Sequence, residues 1–435
     1  MSTGVTVVVF LALLVIVLIA ARMPMGFALG IAGLGYFFLM PGDIGLGALL
    51  DQMVRGIHSY AFLAVPFFIF AGRLMNTSGI SQRIFDFALS LVGRFKGGLG
   101  HVNILASVIF AGMSGAALAD AAGLGVIEIE SMKREGYNHS FAACITAASA
   151  TIGPIIPPSI TMVIYGVLAQ ASIGRLFIGG IIPGLLLGFS LMVTVYIMAV
   201  RNPKSFPTRP AAKPREVWTS FRKAFLPLWT PVIILGGIAF GVTTPTEAGV
   251  LAVLYALILG LLYRQLQWGT MKEMLIATAK QVGSVMFILA GARLLSYIMT
   301  LQRVPTVLTE AVVALTASPV ILLMILNIVL LVLGMFLNSS TILILTVPIL
   351  SPMLAQYGID PVHFGVVMTL NVMIGMLTPP LGVVLYVCGD IAGVKFERVL
   401  KDIVPFYLPV LAVLLLLTYI PGIVLWLPDL LMGAR

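Results

Sequence analysis

The chain has 435 residues, of which 60% are hydrophobic and only 9% charged, far too apolar for a water-soluble domain to hide in one core. Its formal charge of +9 raises the prospect of a nucleic-acid or acidic partner, which the placement of the basic residues argues against below. Two cysteines, Cys144 and Cys388, lie in apolar segments without metal-ligand spacing, so no disulfide is expected.

Uncharged runs at 137–174, 311–359 and 403–428 each exceed the about 20 apolar residues that one helical crossing requires. The period-2 alternation of a membrane β-barrel is absent, so the expected fold is an all-α polytopic membrane protein. The first half predicts spans near 5–21, 24–40 and 58–76. Nothing basic precedes the first of these and a second apolar segment follows at once, so it reads as an uncleaved span rather than a secretory leader. Next come an amphipathic segment, SQRIFDFALSLVGRFK, an interrupted apolar stretch at 102–131, a broken span at 140–169 and a sixth segment at 175–200. Beyond RNPKSFPTRPAAKPREVWTSFRK, the second half predicts spans at 229–242, 245–263 and 282–300, an interrupted stretch at 318–352, a broken span at 363–389 and a last span at 403–427. The division is therefore 1–200, a basic linker at 201–228, and 229–435.

At a constant offset of 222, residues 112–183 align with 334–405 without a gap and with ten identities in 72 positions. Six of the ten are backbone punctuators: Gly112 with Gly334, Gly136 with Gly358, Gly153 with Gly375, Pro157 with Pro379, Pro158 with Pro380 and Pro183 with Pro405. Upstream, FIFAG at 68–72 meets FILAG at 287–291. Two homologous halves follow. If each interrupted stretch is a re-entrant hairpin, each half crosses five times, and an odd number inverts the second half. Lys and Arg accumulate in cytoplasmic loops. With the linker inside and both termini periplasmic, 19 of the 25 basic residues fall on the cytoplasmic side; Arg55, Arg175, Arg303 and Arg435 fall outside, and Arg73 and Arg293 lie within spans. The positive charge is thus topology, and no nucleic-acid partner is expected.

Both broken spans carry a proline pair in the middle of a membrane helix. Proline lacks a backbone donor and deprives the carbonyl four residues earlier of its partner. Pro154, Pro157 and Pro158 release the carbonyls of Ala150, Gly153 and Pro154, and Pro379 and Pro380 release those of Gly375 and Met376. Such breaks survive in hydrocarbon only where protein, water or a ligand compensates. Freed carbonyls suit a small hard cation, and the half-helix restarting after the break offers its positive end to an anion. A plain kink is the alternative, and the paired occurrence in a repeat favours binding.

The interrupted stretches supply a second component. In VIFAGMSGAALADAAGLGV, Gly112, Ser114 and Gly115 sit between two apolar arms of about ten residues, and LGMFLNSSTILILTVP places Asn338, Ser339, Ser340 and Thr341 at the equivalent turn. Their hydroxyls, amides and exposed backbone can complete an oxygen shell around sodium or donate to a carboxylate; a polar seam between packed helices is the alternative. Among ionisable residues in apolar stretches, Asp120 is a candidate by the same logic, with capping or helix pairing as the other reading. Arg73 and Arg293 occupy near-equivalent places and could meet a substrate carboxylate or snorkel. Glu128, Glu130 and Arg134 read as interfacial, the last two as an i,i+4 pair, and Glu247 as a helix-start residue.

In this order and spacing, FAGMSGAALADAAGLG, TIGPIIPPSI, TPTEAG and GMLTPPLG resemble the large membrane subunit of tripartite ATP-independent periplasmic (TRAP) transporters, the DctM type, over essentially the whole chain. The resemblance implies an elevator architecture of the ion-transporter superfamily, with inverted repeats, hairpins and discontinuous helices, in a bacterial inner membrane. It also implies sodium-coupled uptake of a small organic acid, with Na+ as coupling ion and no other cofactor. The implied partners are a periplasmic substrate-binding protein and a small four-span membrane subunit, here expected as a separate chain. Carried onto this chain, the first sodium site comprises Ser114, Gly115, Ile152 and Gly153, and the second Asn338, Ser339, Ser340, Gly375, Thr378 and Pro379. Substrate would lie between the tips, at Ser114, Pro157, Pro158, Ser159, Asn338 and Pro380, with Asp120, Arg73 and Arg293 as further candidates. Relatives often read Ser-Gly-Ser at the first tip, where this chain has Ala116. The moving half would carry both hairpins against a fixed scaffold.

Two other readings compete. A self-sufficient sodium/anion symporter of the same superfamily would need no partners. GMSG at 112–115 is similar to the Gly-x-Ser-Gly of rhomboid intramembrane proteases, but that chemistry needs a histidine within reach of Ser114. His58, His101, His139 and His363 all fall near predicted span ends.

Overall fold

A computed structural model describes residues 3–40 and 45–433, and the described residues are helical, without strands; Arg435 lies outside them. The first half comprises α1 (Thr3–Ala20), α2 (Met25–Leu39), α3 (Leu46–Ile57), α4 (Ala64–Thr77, entered by a 3-10 turn at Tyr60–Leu63), α5 (Ile80–Val92), α6 (Gly98–Ser114), α7 (Ala117–Ala122), α8 (Leu124–Arg134), α9 (His139–Ala150), α10 (Ile160–Leu168) and α11 (Ile173–Arg201). The second comprises α12 (Pro214–Ala239), α13 (Pro245–Leu262), α14 (Trp268–Leu301), α15 (Val304–Leu315), α16 (Pro319–Phe336), α17 (Ser339–Gln356), α18 (Pro361–Leu377), α19 (Val383–Ala392), α20 (Phe396–Asp402), α21 (Val404–Tyr419) and α22 (Gly422–Met432).

Helix boundaries recur at the sequence offset. Adding 222 carries α6 to 320–336, beside α16 at 319–336, and carries α7 plus α8 (117–134) to 339–356, the bounds of α17. The same shift takes α3 (46–57) to 268–279, the opening of α14. α14, at 34 residues, therefore fuses the counterparts of α3 and α4, which His58, Ser59 and the 3-10 turn separate in the first half. Packing is exchanged in the same way. α2 lies on α14 while its counterpart α13 lies on α4; α10 lies on α17 while its counterpart α19 lies on α7 and α8.

Seven described helices are long and apolar enough to cross a membrane, or eight with the bent pair α20–α21 taken as one span. The set differs from the ten spans expected from sequence: both broken spans are divided into pieces too short to qualify alone, α2 has only 15 residues, and the arms α16 and α17, not expected as spans, qualify. At the first tip, where arms of about ten residues were expected, α6 has 17 and the return is split into α7 with 6 and α8 with 11; at the second tip α16 and α17 have 18 each, about 27 Å at the helical rise. In the first half the arms continue through Asn103, Ser107 and Glu128, all buried, because these polar groups bond one another instead of meeting lipid.

The connection between the halves is shorter than the 201–228 segment. α11 ends at Arg201 and α12 starts at Pro214, with proline at its first position and the Lys213 amide donating to the Glu216 carboxylate at 2.9 Å. Trp218, Phe221, Phe225 and Trp229 then meet in succession along the helix, the first pair tilted and the next two edge-on, so the basic segment propagates as helix. The last predicted span is divided at Ile420–Pro421 into α21 and α22. At the centre lie α9 and α18, the first limbs of the broken spans: every residue of Ser140–Ala150 and of Val362–Leu377 is buried.

Candidate functional site

The first break runs from Thr151 to Ser159, and all of it is buried. Ser114 ends α6, Gly115 turns the chain at φ +65°, and a Cβ on Gly115 would strike the Pro158 carbonyl. The Ile160 amide donates to the Gly115 carbonyl at 3.4 Å, so hairpin tip and broken helix are seated directly on each other. The Ser114 hydroxyl donates to Oδ1 of Asp120. Oδ2 of Asp120 has no hydrogen-bond partner and faces Gly153, where a Cβ would collide with it. The peptide bond between Pro157 and Pro158 is cis, as is that between Pro379 and Pro380.

The freed carbonyls have different fates. The Ala150 carbonyl accepts from the Gly153 amide at 3.2 Å, and that of Pro154 accepts from the Ser159 hydroxyl. Ser159 also caps α10, accepting from the Met162 amide at 3.2 Å, so its polar capacity is committed to the fold. The Ile152 carbonyl accepts from the amides of Ile155 and Ile156 at 2.9 and 3.0 Å. Among the described residues no donor reaches the Gly153 carbonyl. Of the carbonyls expected to be free in this span, only that one is, and it adjoins the orphaned carboxylate oxygen. An anionic oxygen, a carbonyl and a hydroxyl form a donor set of the kind a hard cation takes.

Behind the tip a polar seam descends between α6, α8 and α9. The Asn103 amide donates to Glu128 at 2.8 Å and to Thr146 at 2.7 Å, Ser149 donates to Asn103 at 2.6 Å, and Ser107 donates to Ser149 at 3.1 Å. Glu128 is therefore buried rather than interfacial. Only Glu130 and Arg134 form the expected surface pair, at 3.4 Å. The seam was missed from sequence, although Asn103, Ser107 and Ser114 recur at intervals of four and seven, one helical face.

The second break, at Thr378–Gly382, is open where the first is closed: Thr378 and Pro379 are half-buried, and Pro380 and Leu381 are exposed. The Gly375 carbonyl accepts from the Thr378 amide at 2.9 Å, and the Thr378 hydroxyl donates to Ile374 at 2.7 Å. Of the two carbonyls that Pro379 and Pro380 release, only that of Met376 is left without a donor among the described residues. Gly375 itself meets Gly334 backbone to backbone, a Cβ there lying 2.5 Å from the Gly334 Cα; it is a packing glycine for the α16–α18 crossing. At the tip, Asn338 is exposed and caps α17, accepting from the Thr341 amide at 3.0 Å, and Ser339 and Ser340 are half-buried. No hydrogen bond joins this tip to Thr378 among the described residues.

Neither arginine candidate bonds a tip residue among the described residues. Arg73 donates to Gln281 at 2.7 Å; Arg293 is exposed, with its stem laid over Gly56 of α3. Glu247 closes a capping box with Thr244, accepting from its amide at 2.7 Å. The protease reading fails on geometry: Ser114 is bonded to Asp120, while His101 is turned to the Lys96 carbonyl and His363 to that of Leu417.

Two helices broken at paired prolines, the first of them seated against the tip of a helical pair, give the chain the form of a membrane carrier. The family described as "Tripartite ATP-independent periplasmic transporter, DctM component" matches residues 12–423. The chain is 44% identical over 417 residues to the sialic acid TRAP transporter large permease protein SiaM of Vibrio cholerae, covering 96% of this chain and 97% of that one. It is 40% identical to the sialic acid TRAP transporter permease protein SiaT of Haemophilus influenzae, covering 97% of this chain and 68% of that one. It is 38% identical to the C4-dicarboxylate TRAP transporter large permease protein DctM of Pseudomonas aeruginosa, covering 92% and 94%. Among solved structures, the Alcanivorax borkumensis YdaH transporter superposes with a TM-score of 0.64 at 14% identity, over 88% of this chain and 90% of that one. The chain belongs to the DctM-component family of TRAP transporters: it is a multi-pass membrane transport protein and not an enzyme.

Proposed function

We propose that the protein is the large membrane subunit of a tripartite importer that couples inward sodium movement to uptake of a small organic acid. The observation that carries this is the buried first break, where a backbone carbonyl at Gly153 is left without a donor directly beneath a hairpin tip. An oxygen so placed is tolerated inside a membrane only with compensation. The substrates for which these relatives are named, sialic acid and C4-dicarboxylates, are carboxylates, which supports an organic acid as cargo. A small membrane subunit and a periplasmic binding protein complete the set in this reading.

In this reading the moving body carries α6–α10 and α16–α19 in the bacterial inner membrane, and the connection at 202–213 faces the cytoplasm. Liposomes holding the two membrane subunits should accumulate the acid only with an inward sodium gradient and the loaded binding protein. Full uptake without the binding protein would favour a self-sufficient symporter. A label at Lys213 that reacts with an impermeant reagent from outside would overturn the orientation.

A further inference from the structure

Of the seven described helices long and apolar enough to cross a membrane, α12 is the least buried. Its exposed side is not uniformly apolar. Trp218, Phe225 and Trp229 are each more than 40% exposed and recur at the helical period, and Arg215 and Arg222, seven residues apart and exposed, form a row beside them with exposed Lys223 on its far side. α5 packs against α12 at this level, Phe87 on Phe221 at 5.7 Å and Ser90 bonded to Ser220 at 2.8 Å. Four residues beyond Ser90 the chain passes through Arg94, Phe95 and Lys96, all exposed. Residues 94–96 and 213–223 together hold six cations against one acid, Glu216, whose carboxylate accepts the Lys213 amide. None of the ion pairs among the described residues involves any of the six. Unpaired cations edged by exposed indole and phenyl rings match the headgroup layer of a bilayer, where long basic side chains reach phosphate and aromatic rings rest at the border of the acyl chains.

Resting on the cytoplasmic placement of the connection above, we propose that α12 and the end of α5 form a binding surface for anionic phospholipid headgroups of the cytoplasmic leaflet. Arg215, Arg222 and Lys223, with Arg94 and Lys96, take the phosphates, and the Trp218 ring seats the glycerol region beside them. Charge complementarity selects this occupant, because a zwitterionic headgroup brings its own cation and leaves the protein's charge unbalanced. The surface sits on a helix that the first hairpin bears against: Pro231 of α12 meets Gly112 of α6, where a Cβ would lie 2.7 Å from the proline. Bound lipid thus holds α12 at the membrane surface while the hairpin moves past it.

The test uses the full-length chain purified with its small membrane subunit in lipid-depleted detergent micelles, and reads binding without reference to sidedness, sodium or cargo. Dioleoylphosphatidylglycerol is titrated in parallel with dioleoylphosphatidylcholine, and the thermal midpoint is followed. A ligand that binds only the folded state raises that midpoint by mass action. The wild type should show a saturable rise with phosphatidylglycerol alone. One cation near an anionic lipid surface is worth about a fivefold change in affinity, so Arg215→Gln, Arg222→Gln and Lys223→Gln combined should raise the half-saturating lipid concentration by about tenfold or more. Lys395→Gln, Arg398→Gln and Lys401→Gln combined, which strip as many exposed charges from α20, should leave it in place. Should the α12 triple variant not assemble, Arg222→Gln alone should raise it about fivefold. No rise in the wild type, an equal rise with both lipids, an equal loss in the two triple variants or the same stabilisation by inorganic phosphate overturns the assignment. Capture of the small subunit instead of lipid by a photocrosslinker at position 218 also overturns it. Each of these results leaves sodium coupling standing, and a Lys213 label that reacts from outside would move the surface to the other leaflet without removing the lipid contact.

Discussion

The two breaks share a glycine, a proline pair and a place in the repeat, yet they solve the same physical problem differently. At Gly375 the glycine lets two helices touch backbone to backbone at Gly334, and the Thr378 amide closes its carbonyl. At Gly153 the missing side chain makes room for a carboxylate, and the carbonyl stays open. One glycine is there for packing, the other for a charged group. Repeats that began alike can therefore diverge in chemistry while holding their backbone breaks in register, since the prolines fix where the helix stops and the neighbours decide what fills the gap.

Valine substitution should break this comparison most forcefully. At position 153 any Cβ collides with the Asp120 carboxylate, so Gly153→Val should abolish sodium-dependent uptake, more than a hundredfold in initial rate, with the chain still inserted. Gly375→Val should also abolish uptake, but by a different route: it wedges apart α16 and α18 and lowers stability by about 1–3 kcal/mol, the usual cost of overpacking. Thermal midpoint and uptake measured on both variants separate the two; normal uptake in both would sink the account of the breaks. The milder Gly375→Ala should lower the midpoint and leave sodium half-saturation at the first site within twofold.

A smaller effect is expected at the second tip. Asn338 caps α17, and Asn338→Ala should cost about 1 kcal/mol of stability from the lost cap alone. If Asn338 also ligates the second ion, uptake should fall further than that cost explains, while Asn338→Asp, which still caps, should restore the midpoint and not the uptake. Equal recovery of both would reduce Asn338 to a cap.

Much of this architecture was legible because the bilayer leaves few options: uncharged runs pointed to an all-helical membrane fold, and prolines in matched places marked where two of its helices break. What escaped the sequence was pairing in three dimensions. Asp120 could be flagged as an intramembrane charge, but that it faces Gly153 follows from how α7 packs on α9. Asn103, Ser107, Thr146, Ser149 and Glu128 sit on three separate helices, and their mutual bonding is invisible until the helices meet. The proline rule named the carbonyls that lose a helical partner; turn bonds, the Ser159 hydroxyl and the Thr378 amide then recaptured most of them. Glu128 was misplaced because a carboxylate near a predicted span end ordinarily belongs to the interface, and here an asparagine draws it inward.

The smallest expected effect concerns the connection between the halves, which is strapped to the first of them. Phe206 packs edge-on against Phe141 at 4.9 Å and Tyr137 at 6.0 Å, the Tyr137 hydroxyl donates to the Pro207 carbonyl at 3.0 Å, and Arg209 grips Glu135 through two nitrogens at 3.1 and 2.5 Å. Only residues 210–213 then separate the strap from α12, and four extended residues reach about 14 Å at most. The Arg209 guanidinium holds the Glu135 carboxyl below its ordinary range. A carboxyl whose folded pKa is depressed contributes stability above its unfolded pKa and loses it as pH falls through the folded one, so the clasp is complete at neutral pH and opens below the ordinary glutamate range near pH 4.5. Both side chains are about one third exposed, and solvent screening keeps the gain under about 1 kcal/mol. Arg209→Ala should therefore shift the thermal midpoint by only a few degrees at pH 7, and by progressively less as the pH falls through the depressed folded pKa of Glu135. A Glu135→Cys, Arg209→Cys crosslink asks the sharper question: if the strap rides with the first half throughout, the oxidised protein transports as fast as the reduced one, and if the clasp must open for the stroke, oxidation stops uptake and reductant restores it.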